Sequence, residues 1–83
     1  MERLIALLKE LSEAHGVPGY EGAIAQIIHR NLEPFARVQY DDLGSVVCEK
    51  RGTSDSPRIM LAAHMDEIGF IVSAITEEGF LRF

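Results

Sequence analysis

The chain has 83 residues, 47% hydrophobic and 25% charged, an ordinary globular composition that excludes a disordered or fibrous protein and allows one small domain at most. Thirteen acidic against eight basic residues leave a net charge of −5, the wrong sign for gripping nucleic acid or an anionic membrane. The one cysteine, Cys48, has no partner for an internal disulfide, and no window holds the roughly 18 uninterrupted apolar residues of a membrane span.

Met1–Gly16 spreads its charges through an apolar pattern and so reads as a mature helix, not a signal peptide; a reducing cytoplasm is the expected address. Leu4, Ile5, Leu7, Leu8 and Leu11 recur at three- and four-residue steps and share one helical face. Gly16 is placed to end that helix in a left-handed conformation, with Pro18 beyond it, so the helix should stop near Ala14 or His15. A second helix is expected from the run Ile24, Ile27, Ile28, Leu32 and Phe35, with Gln26, His29, Arg30 and Glu33 toward water. Glu21 in its first turn suits the positive end of the dipole, and Pro34 should end it near Asn31 or Leu32 by pushing the preceding residue out of the α region.

From Arg37 the period changes to two. Val38 and Tyr40 alternate with polar neighbours as on a half-buried strand, Asp42-Leu43-Gly44 reads as a tight connection, and Ser45–Glu49 as the return strand. Gly52–Pro57 is a surface turn. Ile59–Ala63 is a continuous apolar run, expected to be a strand buried on both faces of a layered α/β sheet. Ile68–Ile75 reads as β-rich, Glu77-Glu78-Gly79 as a turn, and Phe80–Phe83 as a further strand. Two helices and about five strands leave the Ile59–Ala63 strand short of cover, and a bare apolar strand at the end invites aggregation; the chain is expected to be a piece of something longer.

Ala62-Ala63-His64-Met65-Asp66-Glu67 is the sharpest chemical constellation. Ligand sites of layered sheets gather at the carboxyl ends of strands, where His64 is expected. An imidazole there can bind Zn²⁺ through one nitrogen, and Asp66, two positions on, could accept from the other and fix the ring. By spacing alone His-x-Asp is a weak signal, and a histidine at a strand end is more often a hydrogen-bonded structural residue than a ligand. His15 is read as complementing a helix dipole, His29 as solvated, Cys48 as a core thiol, and Glu67 as a charge entering a strand. Gly16–Gly22 precedes a helix like a phosphate cradle, but no strand leads into it and no lysine follows.

On these residues the chain resembles the N-terminal part of the tetrahedral (TET) aminopeptidases, dinuclear-metal enzymes also known as glutamyl aminopeptidases or cellulase M-like endoglucanases. The likeness runs through Leu4–Ala14, Gly16-Val17-Pro18-Gly19-Tyr20-Glu21 and Asp42-Leu43-Gly44-Ser45. It is strongest over Met60–Phe70 and continues through Gly79–Phe83; Ser45 departs from the family's usual asparagine. The resemblance implies an α/β fold made of two helices and the first strands of a zinc-peptidase-like sandwich, truncated. Residues 1–66 would belong to the catalytic domain and 67–83 would begin an inserted β-rich dimerisation domain.

His64 would be a metal ligand and Asp66 the catalytic carboxylate that orients it. Two divalent metals, zinc or cobalt, would sit in each complete site, and a downstream glutamate would act as general base on short peptide substrates. Homo-oligomers, tetrahedral dodecamers in the family, would be the assembly. With one ligand and its partner, against about three for a catalytic zinc, the 83 residues alone are expected to hydrolyse nothing. The alternative is a non-catalytic α/β module that pairs with a partner chain through exposed strand edges. An endoglucanase reading fits poorly, because adjacent Asp66 and Glu67 on a strand would face opposite ways.

Overall fold

The computed structural model describes all 83 residues. Helix α1 covers Glu2–Glu13, helix α2 Gly22–Leu32, and the strands are β1 Arg37–Tyr40, β2 Val46–Glu49, β3 Ala74–Ile75 and β4 Leu81–Arg82. β1 and β2 pair antiparallel with Val38 opposite Cys48 and Tyr40 opposite Val46, and β3 and β4 pair antiparallel with Ala74 opposite Arg82. The two sheets are separate two-stranded ribbons. This is a small α/β arrangement with antiparallel strands.

Both helices fall where their periodicity puts them, but their ends have other causes than expected. α1 ends because Ala14 turns extended, at φ −75° and ψ 149°. Gly16 is not left-handed; that conformation belongs to Gly19, Gly44 and Gly79. Glu33 keeps α geometry in front of Pro34, so the proline does not act by displacing its neighbour. It ends the ladder because it has no N–H to donate. The chain instead tightens into a turn in which the Phe35 and Ala36 N–H groups both donate to Leu32 O. Glu21 is the N-cap of α2, one place outside the helix, and makes no capping bond with its side chain.

The packed part is thin. Ile24 and Ile27, 6% and 7% exposed, are the only buried hydrophobic side chains. Ile24 lies against Gly16 in the loop after α1, and α2 as a whole lies against the first hairpin. An Arg30–Glu10 ion pair links α2 to α1. His29, expected in water, is half-buried: its ring stacks on Tyr40 with centroids 5.9 Å apart, and Nδ1 lies 2.7 Å from the tyrosine hydroxyl. α1 fully buries none of its residues; Leu7 and Leu11 are half-buried while Leu4, Ile5 and Leu8 stay exposed, so its apolar face is only partly covered.

The first hairpin turns at Asp41–Ser45. Asp41 Oδ1 accepts from the N–H groups of Leu43 and Ser45 at 2.9 and 2.8 Å. Gly44 takes φ +87°, a conformation that a side chain would make costly. The serine at position 45 therefore still closes the turn. Cys48 on β2 is half-buried and unpaired, not a fully enclosed core thiol.

The Ile59–Ala63 strand does not form. Those residues carry no strand pairing, and Ile59 and Leu61 are 83% and 94% exposed. The reason is one of neighbours: an apolar run becomes a buried strand only where other strands and helices flank it. Of the Ile68–Ile75 run, only Ala74 and Ile75 are paired. The open second half stretches the molecule to 63 × 33 × 17 Å, with a radius of gyration of 17.3 Å against about 12 Å for a compact chain of this length. No helix is long and apolar enough to cross a membrane.

Candidate metal-ligand site

The segment His64–Gly69 is held against the loop that follows α1. Glu67 N–H donates to Gly16 O at 2.8 Å. Gly16 is buried with Ile24 on one side and Met65 O on the other, and a methyl group added at Gly69 would overlap Val17 Cγ1. Gly69 is thus needed for close approach: only a residue without a side chain lets Val17 seat there. His64 is therefore positioned by a loop contact and not, as expected, by the end of a buried strand.

His64 Nδ1 lies 2.8 Å from Asp66 Oδ1 and 3.1 Å from Asp66 O. A carboxylate and a carbonyl only accept, so Nδ1 is the donor, and in the neutral form of the ring Nε2 carries the lone pair. The His64 side chain is 84% exposed and that of Asp66 46%. An oriented, neutral imidazole with an accessible Nε2 is the form in which histidine binds divalent transition metals. The donor set fits one ligand and its outer partner. Nowhere in the chain do three or more His, Cys, Asp or Glu side chains converge as a metal cage would require.

His64 and Asp66 help line an open cavity of about 920 Å³, whose other walls include Pro18, Gly19 and Glu21, Ile28 and Leu32 of α2, Val46–Cys48 of β2, and Ile59–Leu61. Glu21 Oε1 is buried in the chain without a hydrogen-bond partner, a feature the sequence pattern did not flag. Its only signal was position, directly after the Gly16–Tyr20 loop. Glu67 engages the loop through its backbone and its side chain is exposed. The remaining candidates lie elsewhere. His15 is exposed beyond the last turn of α1. His29 is engaged by Tyr40 and, at 3.8 Å, by Glu33.

The geometry is that of a small α/β chain presenting one carboxylate-oriented imidazole beside a loop-walled cavity, which defines no class by itself. Sequence comparison supplies one. A family profile described as M42 glutamyl aminopeptidase matches residues 44–83, and a second, described as AMPT, matches residues 5–27. The lysyl aminopeptidase of Pyrococcus furiosus is 40% identical over 78 residues, 92% of this chain and 22% of that protein. The glutamyl aminopeptidase of Lactococcus lactis subsp. cremoris is 38% identical over 77 residues, 90% of this chain and 22% of that protein. FrvX of Escherichia coli is 42% identical over 80 residues, 95% of this chain and 22% of that protein. No solved structure matches the chain. By these matches the chain is similar to an N-terminal segment of the M42 glutamyl aminopeptidases. The chain spans less than a quarter of the length of these curated relatives.

Proposed function

We propose that this chain supplies the first metal ligand of a metal-dependent aminopeptidase that removes N-terminal residues from short peptides. The observation that carries the reading is the 2.8 Å contact of His64 Nδ1 with Asp66 Oδ1. It holds the ring in the tautomer that leaves Nε2 free. In this reading His64 is the metal ligand and Asp66 is the site's carboxylate, acting on the metal through the ring it orients and keeps protonated at Nδ1. Divalent ions bound there, two in the complete site and zinc or cobalt by preference, would lower the pKa of a shared water and polarise the scissile carbonyl. The cavity walled by the Gly16–Glu21 loop would receive the substrate's N-terminal end.

The other ligands and the general base would come from further polypeptide, so the 83 residues alone would bind metal weakly and hydrolyse nothing. Residues 1–66 would belong to the catalytic domain and 67–83 would open an inserted β-rich domain through which homo-oligomers form. The separateness of the β3–β4 ribbon from β1–β2 supports that division. A cytoplasmic address is in keeping with the free Cys48.

Two measurements test this. In the 83-residue chain, ¹⁵N shifts of the imidazole should report His64 protonated at Nδ1, and Asp66→Ala should move the proton to Nε2; an unchanged tautomer would remove Asp66 from the proposal. In a longer M42 polypeptide that includes this segment, His64→Ala should cut chelator-sensitive release of aminoacyl anilide by about 100-fold or more. Asp66→Asn should weaken metal affinity roughly 10–100-fold. Normal turnover and metal content in His64→Ala would overturn the ligand assignment.

A further inference from the structure

His64 meets Asp66 twice. Nδ1 lies 2.8 Å from the carboxylate Oδ1 and 3.1 Å from the backbone O of the same residue. That carbonyl belongs to the peptide group whose N–H, on Glu67, donates to Gly16 O at 2.8 Å. The peptide is trans, so its C=O and N–H leave opposite edges of one rigid plane. One edge faces the ring and the other faces the loop after α1. A displacement at the loop edge is therefore carried to the ring edge.

Two further contacts fix where that plane stands. Gly16 is buried, and a methyl group added to it would come 2.9 Å from Ile24 Cγ1 and 3.3 Å from Met65 O. Loop and segment thus lie backbone to backbone at this point. Two residues past Glu67, a methyl group added at Gly69 would stand 2.1 Å from Val17 Cγ1 but 3.5 Å from Val17 Cβ. The first distance is an overlap and the second an ordinary van der Waals contact, so the conflict lies in the valine methyl alone. Gly69 has no positive φ, so alanine there brings no backbone strain.

We infer that Gly16, Val17 and Gly69 are positioning residues for His64, acting through the Asp66–Glu67 peptide. The carboxylate selects the tautomer, and the peptide sets the direction in which Nε2 points. As a statement about a metal ligand this rests on the peptidase reading; as a statement about an imidazole it does not.

A size exchange tests it. In the 83-residue chain, Gly69→Ala should speed hydrogen exchange of the Glu67 amide about tenfold or more. It should also move the ¹⁵N shifts of the His64 ring, while helical circular dichroism stays as in the parent. Val17→Ala alone should alter that exchange by less than about threefold, and Val17→Ala with Gly69→Ala should return it to within about threefold of the parent and restore the ring shifts. In a longer M42 polypeptide that includes this segment, zinc affinity should fall about tenfold in Gly69→Ala and recover in the double variant. Unmoved ring shifts in Gly69→Ala, or a double variant that does not recover, would overturn the inference. Exchange and shifts that respond while zinc affinity does not would uphold the positioning and overturn the ligand reading alone.

Discussion

Residues 2–49 and 50–83 are built from similar proportions of apolar side chains, yet they behave as two kinds of matter. In the first, two helices and a hairpin close over Ile24 and Ile27 and use up their backbone hydrogen bonds locally. In the second, one short ribbon and a loop contact at Glu67 hold a chain whose apolar residues face water. The difference shows that hydrophobicity does not by itself make a core. A helix meets its backbone needs within its own length and brings an apolar stripe ready to pack, whereas a strand must borrow both hydrogen bonds and cover from elsewhere.

The largest effect that would sharpen this contrast is in the core. Ile27→Ala should destabilise the helical half by about 2 kcal/mol or more, read as a lower urea midpoint of the helical signal. Leu61→Ala should move it by less than about 0.5 kcal/mol. Equal losses at the two positions would mean that the second half is packed after all. Hydrogen exchange should agree: α2 amides protected, those of Lys50–Val72 exchanging as in an open chain except at Glu67.

A smaller effect is expected at the first turn. Gly44→Ala should cost about 1 kcal/mol, since the side chain must adopt the left-handed region, with the loss confined to cross-hairpin contacts between β1 and β2.

The smallest concerns pH. The backbone N–H of Ser45, helped by those of Leu43 and Gly44, holds the Asp41 carboxyl below its ordinary value against the opposing effect of desolvation. A carboxylate whose pKa is lowered in the folded state stabilises it at neutral pH, and that contribution is lost as pH falls through the folded value. Hairpin signals followed by NMR should therefore weaken in acid below about pH 4. Asp41→Asn, which can still accept both N–H bonds, should flatten that dependence; an unaltered acid transition would assign it to another group.

Legibility from sequence follows the same divide. α1, α2 and both hairpins could be read because periodicity, the Asp42-Leu43-Gly44 turn and Gly79 act within a few residues of themselves. The His64–Asp66 contact was legible for the same reason, spanning two positions. The Ile59–Ala63 run was misjudged because its burial depends on neighbours, which local pattern does not contain. The docking of Gly16–Val17 on Met65–Gly69 was invisible because it joins positions remote along the chain.

The seat of Val17 over Gly69 has a mechanical consequence. The imidazole rides on a strip of backbone clamped at one end by that steric fit and by the adjacent Gly16–Glu67 bond, so its aim is inherited from the exit of the first helix. A bulkier side chain at position 69 would act as a wedge, prising the strip from its mount and swinging the ring away without altering a single atom of the ring or its carboxylate. Alignment of the donor nitrogen is therefore written into two residues that carry no chemistry of their own.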